Sequence, residues 1–177
     1  MSTIKNFNVK NIKKIRMDGD PCYNLINELI ENLAEIYDID NLTVKWGSGS
    51  GCYHSVENFD VEILNLENGL TKKRAVNPKS HVLYFGERDI LSLYSNGYRE
   101  YSTVKKELSE YNFKKFGSDA LILIACHEFS HVLQSIDGID YNKKTGRRII
   151  HGSQFIRIYK EILDLIKLPL DKKLLGD

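Results

Sequence analysis

The sequence predicts an α+β domain in which a small, mostly antiparallel sheet packs on two or three helices. Apolar residues recur at helical spacing after residue 20, from 119 to 137 and from 153 to 167, which predicts three main helices. Between the first two, short runs alternate apolar and polar residues, as in half-buried strands. The 177 residues, 42% of them hydrophobic, suffice for one domain and would be cramped as two. We therefore treat residues 1–177 as one domain, with a peripheral arm at 1–19 and a tail at 170–177.

The first helix begins at Asp20-Pro21, because Asp is a good N-cap and Pro is favoured at the first helical position. It should run to about Tyr37. Its apolar stripe consists of Leu25, Ile26, Leu29, Ile30, Leu33 and Ile36.

Four strands are predicted between residues 42 and 85. Alternation indicates strands at 42–46 and 59–63, and the turn signal Asn68-Gly69 precedes a third strand at 70–76. The β-prone run 81–85 is the fourth. The stretch 47–51, rich in glycine and serine, lacks the flanks of a phosphate-binding loop and is interpreted as a flexible hairpin connection.

A tyrosine-rich stretch and a short polar helix, at 102–115, precede the main helix. A tyrosine hydroxyl can stabilise an oxyanion in a hydrolase, but the sequence does not choose one of these residues. The candidates are Tyr94, Tyr98 and Tyr101. At the other end of the chain, Pro169 should end the last helix.

The chain is organised around an H-E-x-x-H sequence, residues 127–131, which follows an apolar run. Two histidines four residues apart lie on one face of a helix, so His127 and His131 can bind the same metal ion. Glu128 lies about 100° further round the helix, where it can take a proton from water on the metal. The alternative, a pair of surface histidines, conflicts with the apolar residues Ala120 and Ile124 on the same face.

A catalytic zinc ion usually has three protein ligands, and three residues are candidates for the third. Asp137 stands where H-E-x-x-H-x-x-G-x-x-H proteins have theirs. Those proteins have glycine where this chain has Gln134, so the helix should continue to Gly138 and turn Asp137 away. Glu161 is the second candidate. We favour His151, because it follows a polar loop and opens an amphipathic helix.

The H-E-x-x-H sequence and the downstream H-G-x-x-F sequence at 151–155 together resemble the SprT-like (Spartan-type) zinc metallopeptidases. The resemblance covers roughly residues 20–168, and its specific part lies within 118–155. It implies a zincin-like fold, a Zn²⁺ cofactor, and Glu128 as the general base. It also implies that the zinc ligands are His127, His131 and His151. Unlike many members, this chain has no C-terminal four-cysteine zinc ribbon, and the segment between its ligands is unusually basic.

The predicted function is zinc-dependent hydrolysis of peptide bonds in a protein or peptide substrate. In peptidases of this type, the substrate adds as a strand to the sheet edge nearest the active helix. By resemblance, residues 81–85 take this role, and the predicted substrate-binding residues are Val82, Leu83 and Tyr84. The alternative is an interior strand that does not contact the substrate.

The resemblance further implies action on proteins attached to DNA, with stimulation by DNA, including single-stranded DNA. The residues predicted to contact phosphates are Lys143, Lys144, Arg147 and Arg148. An equally weighted alternative is that these residues belong to a solvated loop that does not contact DNA.

Two other functions remain open. A regulatory peptidase resembling the ImmA/IrrE group, which cuts a repressor, would have Leu-His after its second histidine and a Glu third ligand. This chain has Leu133-Gln134 at that place. A binding module with a structural zinc would need a fourth protein ligand, which only Asp137 or Glu161 offers.

Charge and cysteine content restrict the remaining classes. The formal net charge is +1, so nucleic-acid binding would depend on local patches. The 3 cysteines are far apart, which argues against a disulfide framework and favours a reducing compartment. Residues 1–20 lack an apolar signal region, and no run approaches the roughly 18 apolar residues of a membrane span. We therefore predict a cytoplasmic protein that does not contact membranes.

Overall fold

The fold is α+β, as predicted. A computed structural model describes residues 20–99, 102–107, 111 and 116–174. The predicted arm at 1–19, Tyr101 and most of the polar helix beyond Glu107 lie outside the described residues. The elements are, in chain order, α1 (Asp20–Ile36), β1 (Leu42–Gly47), β2 (Cys52–Glu57), β3 (Asp60–Asn65), β4 (Thr71–Val76), β5 (Ser80–Gly86), α2 (Glu87–Asn96), α3 (Ser102–Glu107), α4 (Ser118–Asp137) and α5 (Ser153–Leu174). None of these helices has the length and apolar character needed to cross a membrane.

The strands form two sheets. In the first, β5 lies between β1 and β2, parallel to β1 and antiparallel to β2, so this sheet is mixed. The second is the antiparallel hairpin of β3 and β4, with the predicted turn between them.

The prediction that residues 81–85 form a sheet edge is wrong. Val82 lies opposite Thr43 of β1 on one side and Ser55 of β2 on the other. The backbone groups of Val82, Leu83 and Tyr84 therefore face neighbouring strands and are not free to bind a substrate strand. The adjacent residues Val82 and Leu83 are both buried, so both faces of β5 are covered, as in a central strand.

Strand β2 was not predicted, because its sequence, Cys-Tyr-His-Ser-Val-Glu, is mostly polar. It forms one edge of the three-stranded sheet. The glycine-rich connection before it joins strands on opposite sides of β5 and is not a hairpin. Instead it crosses the end of β5, where the N–H of Gly86 donates to the carbonyl of Gly51 at 3.0 Å. A Cβ on Gly86 would lie 2.6 Å from the carbonyl oxygen of Gly49, so this crossing requires glycine.

Helix α4 forms the centre of the core. Every residue from Ala120 to Ser130 is buried. Helices α1, α2 and α5 pack against α4, and both β2 and β5 contact it. This complete coverage explains why the helix reads as a continuous apolar run and not as an amphipathic one.

One helix was not predicted, and another is longer than predicted. Residues 87–96 form α2, which the sequence did not indicate, and α5 continues past Pro169 to Leu174. Proline shares the helical φ of about −65°, so it costs a backbone hydrogen bond without dictating a helix end.

The loop between α4 and α5 is fixed on the β3–β4 hairpin. Its Gly146 has φ 60° and is buried; a Cβ there would lie 3.0 Å from the side chains of Leu66 and Lys72. The backbone N–H of Glu67 donates to the carbonyl of Lys143 at 3.2 Å. The hairpin therefore fixes the backbone of the basic segment, while its four cationic side chains are exposed.

Candidate metal centre

Three histidines from two segments of the chain converge beside α4. His127 and His131 lie one turn apart, with their Nε2 atoms at 3.3 Å. His151, in the turn before α5, places its Nε2 3.1 Å from that of His127. The ligand nitrogens of all three residues lie within 4.8 Å of one another, so the cluster can hold a metal ion.

The donor set fits zinc. A tetrahedral ion with metal–nitrogen distances of roughly 2.0–2.1 Å keeps its ligand nitrogens roughly 3.3–3.4 Å apart. The observed Nε2–Nε2 distances of 3.1 and 3.3 Å are close to this value. A neutral imidazole has only one N–H, so three converging Nε2 atoms satisfy a cation better than they satisfy one another.

Gln134 fixes which nitrogen of His131 faces the cluster. Its Nε2 donates to the carbonyl of Ile149 at 3.2 Å, so its Oε1 is the atom that lies 3.2 Å from Nδ1 of His131. An amide oxygen only accepts, so Nδ1 of His131 carries the proton and Nε2 keeps its lone pair for a metal. Because Ile149 is two residues before His151, the same side chain joins α4 to the segment that carries His151.

The other two ligands are also supported. The hydroxyl of Tyr98, one of the three candidate tyrosines, lies 3.0 Å from Nδ1 of His127. This contact does not show which tyrosine, if any, stabilises an oxyanion. Phe155 packs behind His151; its ring centroid is within 4.9 Å of all three imidazole centroids.

His131 is uncharged before metal binds. Burial, followed by the neighbouring His127, lowers the pKa of His131 to about 3. This imidazole is therefore unprotonated at neutral pH, which is the form that binds a metal.

The rival ligands lie elsewhere. Asp137 is 3.4 Å from the guanidinium of Arg157, and Glu161 is 2.9 Å from it. Both carboxylates are about half exposed. The sequence analysis predicted that glutamine at position 134 would let the helix continue. Helix α4 does continue to Asp137, and its C-cap is Gly138. Within the described residues, no fourth histidine, cysteine or carboxylate ligand joins the three histidines.

Glu128 lies on α4, which contacts β2. It is 5% exposed. Burial is the main cause that raises the pKa of the Cys52 thiol to about 12, and the charge of Glu128 raises it further. The carboxylate therefore lies near β2, the edge strand that α4 contacts.

A cleft of about 740 Å³ lies between the outer edge of β2, the β3–β4 hairpin and the loop after α4. Of the predicted DNA-contact residues, Lys143 and Arg148 line this cleft. Lys144 and Arg147 are exposed on the same loop.

The sequence analysis did not identify Gln134 as a partner of His131 and assigned no role to His54 or His81. A buried polar residue three positions after His131, on the ligand face, was a usable signal for Gln134. Nothing local pairs His54 with His81, which lie on different strands.

Comparison of the chain with protein-family models, with curated proteins and with solved structures finds no match.

Proposed function

We propose that this protein is a zinc peptidase with a zincin-like active site. The observation that carries the proposal is the three-histidine cluster, which no fourth ligand closes among the described residues, beside a buried glutamate. Structural zinc sites usually have four protein ligands, whereas catalytic sites have three and an open position. The resemblance to SprT-like peptidases agrees with this assignment.

His127, His131 and His151 would hold the zinc. When bound, zinc supplies Lewis acidity that polarises a peptide carbonyl and lowers the pKa of water to roughly 7. Glu128 takes a proton as the water oxygen bonds to the carbonyl carbon. It then delivers that proton to the nitrogen as the C–N bond breaks.

The peptide substrate would lie along β2. Among the described residues, the outer edge of β2 pairs with no strand, and the 740 Å³ cleft runs beside it. An extended peptide can add to such an edge through backbone hydrogen bonds. The edge of β2 therefore replaces Val82, Leu83 and Tyr84 as the proposed substrate-binding strand.

The proposal is tested with Glu128→Gln, using Glu161→Gln as the control. Both changes remove one carboxylate charge from a helix, but Glu161 pairs with Arg157 away from the cluster. Glu128→Gln should keep the parental zinc content and lose at least about 100-fold in cleavage of casein, the scale of general-base catalysis. Parental cleavage by Glu128→Gln, or no cleavage by the zinc-loaded parent with or without single-stranded DNA, would refute the assignment.

Coordination distinguishes the remaining alternatives. X-ray absorption of the zinc-loaded protein should show three nitrogen ligands and one oxygen from solvent. Four protein ligands would indicate a structural zinc in a binding module. A carboxylate in place of His151 would favour the ImmA/IrrE-like alternative.

We further propose that DNA binds the loop between α4 and α5. Among the described residues, no carboxylate forms an ion pair with the four cations of this loop, Lys143, Lys144, Arg147 and Arg148. Four contacts with single-stranded DNA predict a roughly 50-fold loss of affinity between about 50 and 200 mM salt.

Fluorescence anisotropy with a labelled single-stranded oligonucleotide measures the affinity and its dependence on salt. Neutralising the four residues should abolish binding, whereas Lys45→Gln, at an exposed cation on β1, should not. No binding at low salt rules out the DNA partner and leaves the peptidase assignment intact.

A further inference from the structure

Tyr98 contacts the metal centre from the segment that follows α2. That helix ends at Gly97, whose backbone N–H donates to the carbonyl of Leu93 at 2.9 Å. Gly97 has φ 94°, a conformation that glycine adopts readily. The next residue, Tyr98, is 8% exposed, and its hydroxyl lies 3.0 Å from Nδ1 of His127. A buried hydroxyl from a separate segment therefore lies at the outer nitrogen of a candidate ligand.

The contacts between the Nε2 atoms need a proton when no metal is bound. Gln134 holds the proton of His131 on Nδ1, so Nε2 of His131 carries only a lone pair. This lone pair lies 3.3 Å from Nε2 of His127, and a second lone pair at that distance would repel it. A proton on Nε2 of His127 turns the repulsion into a hydrogen bond.

His151 cannot supply this proton in place of His127. Nε2 of His127 lies 3.1 Å from Nε2 of His151, so an N–H on His127 faces both neighbouring rings. A proton on Nε2 of His151 would leave the lone pairs of His127 and His131 facing each other. A neutral imidazole has one N–H, so a proton on Nε2 leaves Nδ1 of His127 as an acceptor. The hydroxyl of Tyr98 then donates to that nitrogen.

Binding a metal through Nε2 requires the opposite tautomer of His127. A ligand nitrogen must present its lone pair, so the proton of the neutral ring is then on Nδ1. Nδ1–H donates to the oxygen of Tyr98, and the direction of this hydrogen bond is reversed. A hydroxyl can both donate and accept, whereas the amide oxygen of Gln134 beside His131 only accepts.

From this geometry we infer that Tyr98 is a positioning residue that allows His127 to change tautomer when a metal binds. The proton leaves Nε2 and returns to Nδ1 of the same ring by exchange with solvent, so the ring stays neutral. Gln134 fixes one tautomer of His131, whereas Tyr98 stabilises either tautomer of His127. The inference rests on the zinc site of the proposed function and does not depend on peptide hydrolysis.

Long-range ¹⁵N NMR at mildly alkaline pH measures the tautomer directly. His127 should carry its proton on Nε2 in the metal-free protein and on Nδ1 in the zinc-loaded protein. His131 is the internal control, because its proton should stay on Nδ1 in both forms. A proton on Nδ1 of His127 in the metal-free protein, or protons on both of its nitrogens, would overturn the inference.

Tyr98→Phe tests the hydroxyl, and Tyr159→Phe is the matched control. Tyr159 is also buried, with its ring centroid 5.7 Å from that of His127, but its hydroxyl donates to the carbonyl of Leu123 at 3.0 Å. Tyr98→Phe leaves Nδ1–H of metal-bound His127 without this acceptor. Zinc affinity should therefore fall by about 10- to 100-fold, the typical effect of losing a partner of a ligand. Tyr159→Phe should bind zinc as tightly as the parent.

Competition with a chromophoric chelator measures both affinities. Equal zinc affinity of Tyr98→Phe and Tyr159→Phe would contradict the role of the hydroxyl and leave the peptidase assignment intact. A parent that binds zinc and shows both tautomers but cleaves no peptide would refute the peptidase assignment alone. A parent that binds no zinc would refute both.

Discussion

Replacing Gln134 by leucine should weaken zinc binding although Gln134 is not a ligand. The side chain makes two hydrogen bonds of 3.2 Å, one with His131 and one with the carbonyl of Ile149. Without the amide oxygen, the proton of His131 is no longer held on Nδ1. The lone pair of Nε2 is then no longer kept free for the metal. Loss of such a partner typically lowers metal affinity by about 10- to 100-fold.

The same substitution should destabilise the metal-free protein. Each hydrogen bond contributes about 0.5–1.5 kcal/mol net, so the free energy of unfolding should fall by about 1–3 kcal/mol. Zinc affinity is measured by competition with a chromophoric chelator, and stability by urea unfolding of the metal-free protein.

Gln154→Leu is the matched control. Gln154 also donates its amide to a backbone carbonyl, that of Gly138, at 3.0 Å, but it contacts no ligand nitrogen. It should lose stability without losing zinc affinity. If Gln134→Leu and Gln154→Leu bind zinc equally well, the proton on His131 is not set by Gln134.

Three further predictions follow from the same geometry. His151→Ala should reduce zinc affinity sharply while leaving the unfolding of the metal-free protein little changed; unaltered zinc content would exclude His151 as the third ligand. Gly86→Ala should destabilise the protein by more than about 1 kcal/mol, because its Cβ would overlap the Gly49 carbonyl; parental urea stability would contradict the crossing. Burial is the main cause that lowers the pKa of His131 to about 3 and of His54 to about 4, below the unfolded value of 6.5. The unfolded chain therefore binds more protons between these values, so stability is full above pH 6.5 and falls by about 3 kcal/mol per histidine by pH 4. Flat stability from pH 7 to 4 in urea titrations of metal-free protein would show that neither imidazole is buried neutral.

The sequence identified the parts of the centre that depend on local spacing. The pairing of His127 with His131 follows from their four-residue interval on one helix. This relation depends on helical geometry, which is the same in every fold.

The parts of the centre that depend on tertiary contacts could not be predicted from the sequence. The strand order decides that β5 is central and β2 is the edge, and no residue in either strand encodes its neighbours. The pairing of His54 with His81 and the contact of Tyr98 with His127 join residues that are 27 and 29 positions apart. Such contacts appear only when the sheet and helices are assembled.

Gln134 influences which residue, Asp137 or His151, can join His127 and His131. A glycine at this position would allow the helix to end and the chain to turn back towards His131. Glutamine keeps the helix intact for one more turn, which carries Asp137 to the surface and into its ion pair with Arg157. A third histidine for the cluster then comes from beyond the next loop, and the amide of Gln134 binds that loop at Ile149. One side chain therefore both excludes the near candidate and anchors the segment that carries His151. This is why a change at Gln134 should affect the metal more than a comparable change at Gln154.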